Sequence, residues 1–166
     1  LLKMKIFMAL IRSIQPADNP FIAQVIRDVL IEHNVPKVGT AYADASLDCM
    51  FETYLTPKSQ YFVVEKEGKI IGGAGIHQLE NEANTICELQ KMYFLPEARG
   101  LGLGAEMMEK CLAFAKQVSY EKCYLETMPY MKDAQKLYLK FGFDYLDQPM
   151  GCTGHTSCPV WMIKIL

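Results

Sequence analysis

Residues 99 to 104 read Arg-Gly-Leu-Gly-Leu-Gly, after an apolar stretch that Pro96 ends and before a run with helical apolar spacing. Strand, short glycine-rich loop, then helix is an arrangement that turns free backbone N–H groups toward an anion. Gly100, Gly102 and Gly104 remove side chains, so the backbone can approach phosphate oxygens closely. Arg99 adds a fixed positive charge, and a helix beginning near Gly104 adds the positive end of its dipole. A helix entry that uses glycine only for a tight turn is the plainer alternative, but glycine at three alternate positions is uncommon for it. Two other phosphate motifs fit worse. Ala105 follows Gly104, so the Lys-Ser or Lys-Thr of a Walker loop is missing, and the third glycine of GxGxxG falls on the same alanine.

The rest of the chain divides into short elements. Leu10–Gln15 reads as a strand closed by Pro16. Asp18 is placed to cap a helix running to about His33, with Phe21, Val25, Val29 and Leu30 on its apolar side. A second helix is expected over Ala45–Leu55. Tyr61–Glu65 and Lys69–His77 form a hairpin across Glu67-Gly68, and Gly72-Gly73 inside it suggests a bulge or a close backbone approach. Cys87–Phe94 and Lys122–Thr127 are strands flanking a helix from Gly104 to about Ser119, which demands a parallel pair with a right-handed crossover. A helix over Met131–Phe141 and strands at Phe143–Leu146 and Val160–Ile165 close the chain. The expected fold is α/β (α+β): a mixed, mostly antiparallel central sheet with helices on both faces.

Bulk properties narrow the class. The 166 residues are 51% hydrophobic and 22% charged, which is the balance of a chain that buries a core. A net charge of -2 argues against a general nucleic-acid binder. No apolar run approaches the roughly 20 residues of a membrane span. The N-terminal Leu1–Ile11 superficially resembles a signal peptide, but Arg12 interrupts it and no small-residue cleavage site follows, so it reads better as the first strand. Of the six cysteines, Cys49, Cys87, Cys111 and Cys123 fall inside apolar patterns; reduced thiols and a cytoplasmic location are expected.

Phe94-Leu95-Pro96-Glu97-Ala98-Arg99-Gly100-Leu101-Gly102-Leu103-Gly104, with Glu88-Leu89 before it and Ala134, Leu137-Tyr138 and Phe141-Gly142-Phe143 after it, resembles the acetyl-CoA signature of the GNAT N-acetyltransferase superfamily. The likeness is close over residues 60 to 146, and the order of elements extends it across a single domain, 1–166. The resemblance implies acetyl-CoA as donor, with no metal. It implies a splayed parallel strand pair that admits the pantetheine arm beside Met92, Tyr93 and Phe94, and a pyrophosphate held by Arg99, Gly100, Leu101, Gly102, Leu103 and Gly104. The implied partner is a small-molecule or peptide amine that attacks the thioester directly, with neither nucleic acid nor membrane. A homodimer is a family expectation only. An acyl-CoA-binding sensor or interaction module without turnover is the alternative of another class.

Tyr138 shares an inward helical face with Met131, Ala134, Leu137 and Phe141. The matching tyrosine of the superfamily donates a proton to the leaving thiolate; a core tyrosine bonded to backbone is the alternative. Glu88 corresponds to the glutamate base of several protein-acetylating members, though a substrate contact or a surface strand residue reads equally well there. His155 lies in Cys152-x2-His155-x2-Cys158. Three soft ligands so close rarely complete a zinc tetrahedron. The loop precedes the last strand, so the resemblance implies that it borders the acceptor cleft, where His155 would assist proton removal; a plain hairpin loop with a solvent-facing His is the alternative. Asp44, Asp48 and Glu52 recur every four residues on the second expected helix and would share one face. The resemblance makes that face a candidate wall for a cationic acceptor, and a solvated helix face is the plainer reading.

Overall fold

Side chains alternate across the central strands, and both faces are apolar. The computed structural model describes residues 8–166. The part of the N-terminal apolar run that precedes Met8 lies outside them. The elements are β1 (Leu10–Ser13), α1 (Asn19–Glu32), α2 (Met50–Thr53), β2 (Gln60–Lys66), β3 (Lys69–Gln78), β4 (Ile86–Phe94), α3 (Leu103–Gln117), β5 (Lys122–Thr127), α4 (Lys132–Lys140), β6 (Asp144–Leu146) and β7 (Val160–Ile165). They build a sheet of order β1-β2-β3-β4-β5-β7-β6, in which β4–β5 is the parallel pair. On one face, Phe62, Val64, Ile71 and Ile76 meet Met107, Met108 and Cys111 of α3. On the other, Tyr61, Val63 and Ile70 meet Ile22, Val25, Ile26 and Leu30 of α1 together with Leu47 and Met50.

The parallel pair is short. Its register is Ile86↔Lys122, Cys87↔Cys123 and Glu88↔Tyr124, and the strands part beyond it. A bulge explains the divergence. Gly73 pairs with Tyr93 and Gly75 with Gln90, so Lys91 and Met92 both stand opposite Ala74. Lys91 takes φ 49°, a left-handed conformation that side chains rarely adopt. The extra residue increases the local twist and turns the end of β4 away from β5. In the β3–β4 ladder the bulged strand is thus β4; β3 bulges as well, at Ile71 against β2, and Gly72 and Gly73 supply a close approach. A Cβ on Gly72 would lie 2.4 Å from the Phe94 ring, and one on Gly73 would lie 2.6 Å from the Tyr61 ring.

Four sequence expectations need correction. The helix over Ala45–Leu55 is broken into a 3-10 turn (Ala45–Asp48) and the single turn α2. Asn19 is the cause: its side-chain oxygen accepts the Phe51 N–H at 2.8 Å and its amide donates to Glu52 at 2.7 Å, giving the backbone a partner from outside the helix. Asp18 makes no side-chain cap to α1; its carboxylate accepts the Gln15 N–H and pairs with Arg12 at 2.7 Å. Phe21 is exposed because Ile22 and Val25, rather than Phe21, point at the sheet. Cys49 is exposed too, since it sits at the break between the two turns.

Candidate active site

Two cavities adjoin the β4 bulge, one lined by Met92 and the other by Lys91. The first, about 380 Å³, lies between the end of β4, the loop that follows it and α4, and is lined by Met92, Tyr93, Phe94, Arg99, Gly100, Gly102, Leu103, Gly104 and Tyr138. Gly100 and Gly102 hold φ 73° and 77°, and no atom lies within 4 Å of a Cβ built on either. These glycines are therefore needed for backbone shape, and the space beside them stays open. The first intrahelical bond of α3 is donated by Glu106 to the Gly102 carbonyl at 3.1 Å, so the N–H groups of Leu103, Gly104 and Ala105 precede the helical ladder. Leu101 is exposed and points outward from the loop. Arg99 has a protein partner: its guanidinium donates to both Glu32 oxygens at 2.7 Å and to the Phe94 carbonyl at 2.9 and 3.1 Å.

Tyr138 faces this cavity from α4 as its helical spacing predicts. It is buried, with its ring centroid 6.0 Å from that of Phe143, and burial pushes its hydroxyl up to about 12. A phenol so placed stays protonated through neutral pH and is available as a donor.

The second cavity, about 270 Å³, lies on the other side of the bulge; its walls include Asp44, Ser46, Glu88, Gln90, Lys91 and His155. Asp44 is its hub. The Lys91 ammonium lies 2.9 Å from Asp44, and the His155 Nε2 lies 3.1 Å from both Asp44 oxygens. Burial raises the Asp44 carboxyl, but the hydrogen bond from His155 and the Lys91 charge outweigh it and hold it down at about 2. Glu88 is only 5% exposed, and burial pushes it up to about 7 against the hydrogen bond that the Gln90 amide donates at 2.7 Å. Burial lowers His155, yet Asp44 reverses the sign and leaves it raised. The loop carrying His155 is tied to the segment before Asp44, since the Ser157 N–H donates to the Gly39 carbonyl at 3.0 Å and its hydroxyl to the Val38 carbonyl at 3.1 Å.

Asp44 and His155 therefore converge with Glu88, while Asp48 and Glu52 do not join them. Asp48 takes a bidentate contact from Arg27 at 2.7 and 2.9 Å, and Glu52 accepts from Asn19. The break before α2 destroys the shared face that continuous helical spacing implied. Cys152 is exposed and Cys158 half-buried, and His155 turns to carboxylates rather than to these sulfurs. Ligand atoms of Glu88, Glu126 and His155 lie within 4.8 Å of one another, a donor set that could hold a metal ion. Both Glu126 oxygens already accept hydroxyl hydrogens, from Tyr124 at 2.7 Å and Thr153 at 2.8 Å.

Lys91, Gln90 and Glu126 escaped the sequence reading. Lys91 and Glu126 were detectable as charges inside apolar strands, where an unpaired charge is costly and a partner is implied.

The profile of the acetyltransferase (GNAT) family matches residues 26–143. The uncharacterized N-acetyltransferase YjgM of Escherichia coli (strain K12) is 42% identical over 156 residues, 93% of each chain. In structure, a GNAT-family acetyltransferase of Staphylococcus aureus Mu50 aligns with TM-score 0.84 at 18% identity, over 95% of this chain and 99% of its own. A GNAT phosphinothricin acetyltransferase of Sinorhizobium meliloti, solved in complex with acetyl-CoA, aligns with TM-score 0.76 at 19% identity, over 95% and 88%. The structural likeness carries the fold, and the sequence matches carry the ancestry: this chain belongs to the GNAT family of N-acetyltransferases.

Proposed function

We propose that the protein transfers the acetyl group of acetyl-CoA to a compact, polar primary amine by direct attack. The observation that carries this reading is that two differently built cavities adjoin one bulge: Lys91 lines one and Met92, the next residue, lines the other. The first suits a CoA thioester. Its β4 edge beyond Glu88 is free of β5, and the Gly100–Gly104 turn leaves open space beside helix N–H groups that suit phosphate oxygens. Met92, Tyr93 and Phe94 would hold the pantetheine arm, and Arg99 with Gly100 to Gly104 the pyrophosphate. Bound there, acetyl-CoA supplies an activated acyl group.

The chain's own groups then have defined work. Asp44, Lys91 and the tied loops orient the amine in the second cavity, which supplies proximity. Glu88, raised by burial to about 7, takes the proton that the ammonium must lose to become a nucleophile. Tyr138 donates its phenolic proton to the departing sulfur. The second cavity, about 270 Å³ and lined in part by Thr153 and His155 of the β6–β7 loop, suits a small amine better than a folded protein surface.

The test is thiol release from acetyl-CoA with ethanolamine, putrescine, 2-aminoethylphosphonate, glycinamide and a peptide with a free N-terminal alanine. Turnover of at least one small amine is expected. Acetyl-CoA binding without turnover of any would make the chain a sensor, and turnover of the peptide alone would overturn the acceptor class.

A further inference from the structure

The proton that Glu88 accepts needs a way out. Glu88 lies on β4 at 5% exposure, so its contact with bulk water is slight. His155 stands on the β6–β7 loop, with one of its ring nitrogens within 4.8 Å of a Glu88 carboxylate oxygen. Its two nitrogens are distinguished by their partners. Nε2 points at Asp44, 3.1 Å from both oxygens, whereas Nδ1 faces the carboxylate side, 4.0 Å from Glu126 Oε2. An Nε2–H held by Asp44 leaves the Nδ1 lone pair on the side of Glu126.

We propose that His155 is the second station of the proton path, taking at Nδ1 the proton that Glu88 receives from the acceptor ammonium while Asp44 steadies the resulting imidazolium. The balance is simple. An N–H bond of the ammonium breaks as an O–H bond forms on Glu88; that O–H then breaks as an N–H forms on His155, the gap of up to 4.8 Å being crossed through one water that accepts one proton as it gives up another. The imidazolium then returns one proton to water at the cavity mouth, where its side chain is 15% exposed. Other charged and titratable groups surround the ring: Lys91 from β4 opposes the imidazolium, Glu126 from β5 favours it, and Cys158 lies on its own loop. His77 and Glu80 line the same cavity. Burial shifts Glu88 upward, and the hydrogen bond with Asp44 holds His155 upward against burial. This rests on the acetyl-transfer reading above and adds to it the residue beyond the base.

Two measurements test it. In ¹H–¹⁵N NMR of the free enzyme, Glu88→Gln lowers the titration midpoint of His155, with His33 on the far end of α1 as internal control. In turnover with the best small amine of the panel, His155→Gln keeps an amide nitrogen near Asp44 but has no titrating site. It should lose at least tenfold in kcat below pH 8 while retaining Tm and the KM for acetyl-CoA. A merely structural His155 would be replaced by Gln without loss. Full turnover in His155→Gln, or an unmoved His155 midpoint in Glu88→Gln, overturns the relay. Should Glu88→Gln itself keep full turnover, the base assignment fails as well, so the two failures are separable.

Discussion

Lys91, held at φ 49° by the β4 bulge, places its ammonium 2.9 Å from Asp44, which arrives from a loop 47 positions earlier (91 − 44). The Lys91 side chain is 6% exposed, so the pair is largely shielded from water. Removing Lys91 leaves the Asp44 carboxylate with His155 as its remaining partner. Lys91→Met should destabilise the fold by about 2–3 kcal/mol, read from urea unfolding at pH 7. It should also raise the His155 midpoint, since Lys91 opposes the imidazolium. An unchanged unfolding midpoint would show the pair to be energetically idle.

Glu88 carries a pH-dependent cost. Its folded pKa of about 7 exceeds the model-peptide value of 4.5, so the folded state binds the extra proton between them. Stability therefore falls as pH rises from about 4.5 to about 7, and stays at the lower level above. Glu88→Gln should then gain about 2–3 kcal/mol over the parent at pH 8 and nothing at pH 4. Thermal unfolding at the two pH values checks the sign.

Tyr138→Phe removes the phenolic proton and little else, because burial alone accounts for its shift and no hydrogen bond contributes. A drop of about a hundredfold in kcat is expected, with KM for acetyl-CoA and Tm unchanged. Full turnover across the pH range would assign Tyr138 to the core alone.

Arg99 is clasped by Glu32 on the rim of the first cavity. Glu32 is the group that the Arg99 charge depresses, and the pair is partly exposed. Glu32→Gln should release the guanidinium toward the pyrophosphate and lower the KM for acetyl-CoA two- to fivefold at low ionic strength, an effect that salt erases. A raised KM would mean that Glu32 positions Arg99 instead of competing for it.

What the sequence disclosed follows how local each requirement is. The Gly100–Gly104 turn was legible because positive φ and free helix N–H groups are properties of a few consecutive residues. Tyr138 was legible because a helical period decides which way a side chain faces. Asp48 and Glu52 misled because their spacing presupposed a continuous helix, which the Asn19 side chain interrupts from another segment. The bulge was sensed through Gly72-Gly73, yet only the pairing of β3 with β4 shows that Lys91 is the residue displaced.

The family and the Gly100–Gly104 turn were thus written in the chain order itself, since the backbone geometry of a glycine turn at a helix start needs no distant partner. The second cavity was decided by tertiary structure. Asp44, Glu88 with Lys91, Glu126 and His155 come from four separate segments. Their charges acquire meaning only when folding removes water and sets them against one another. Desolvation and ion pairing are properties of the assembled cavity, and no stretch of sequence contains them.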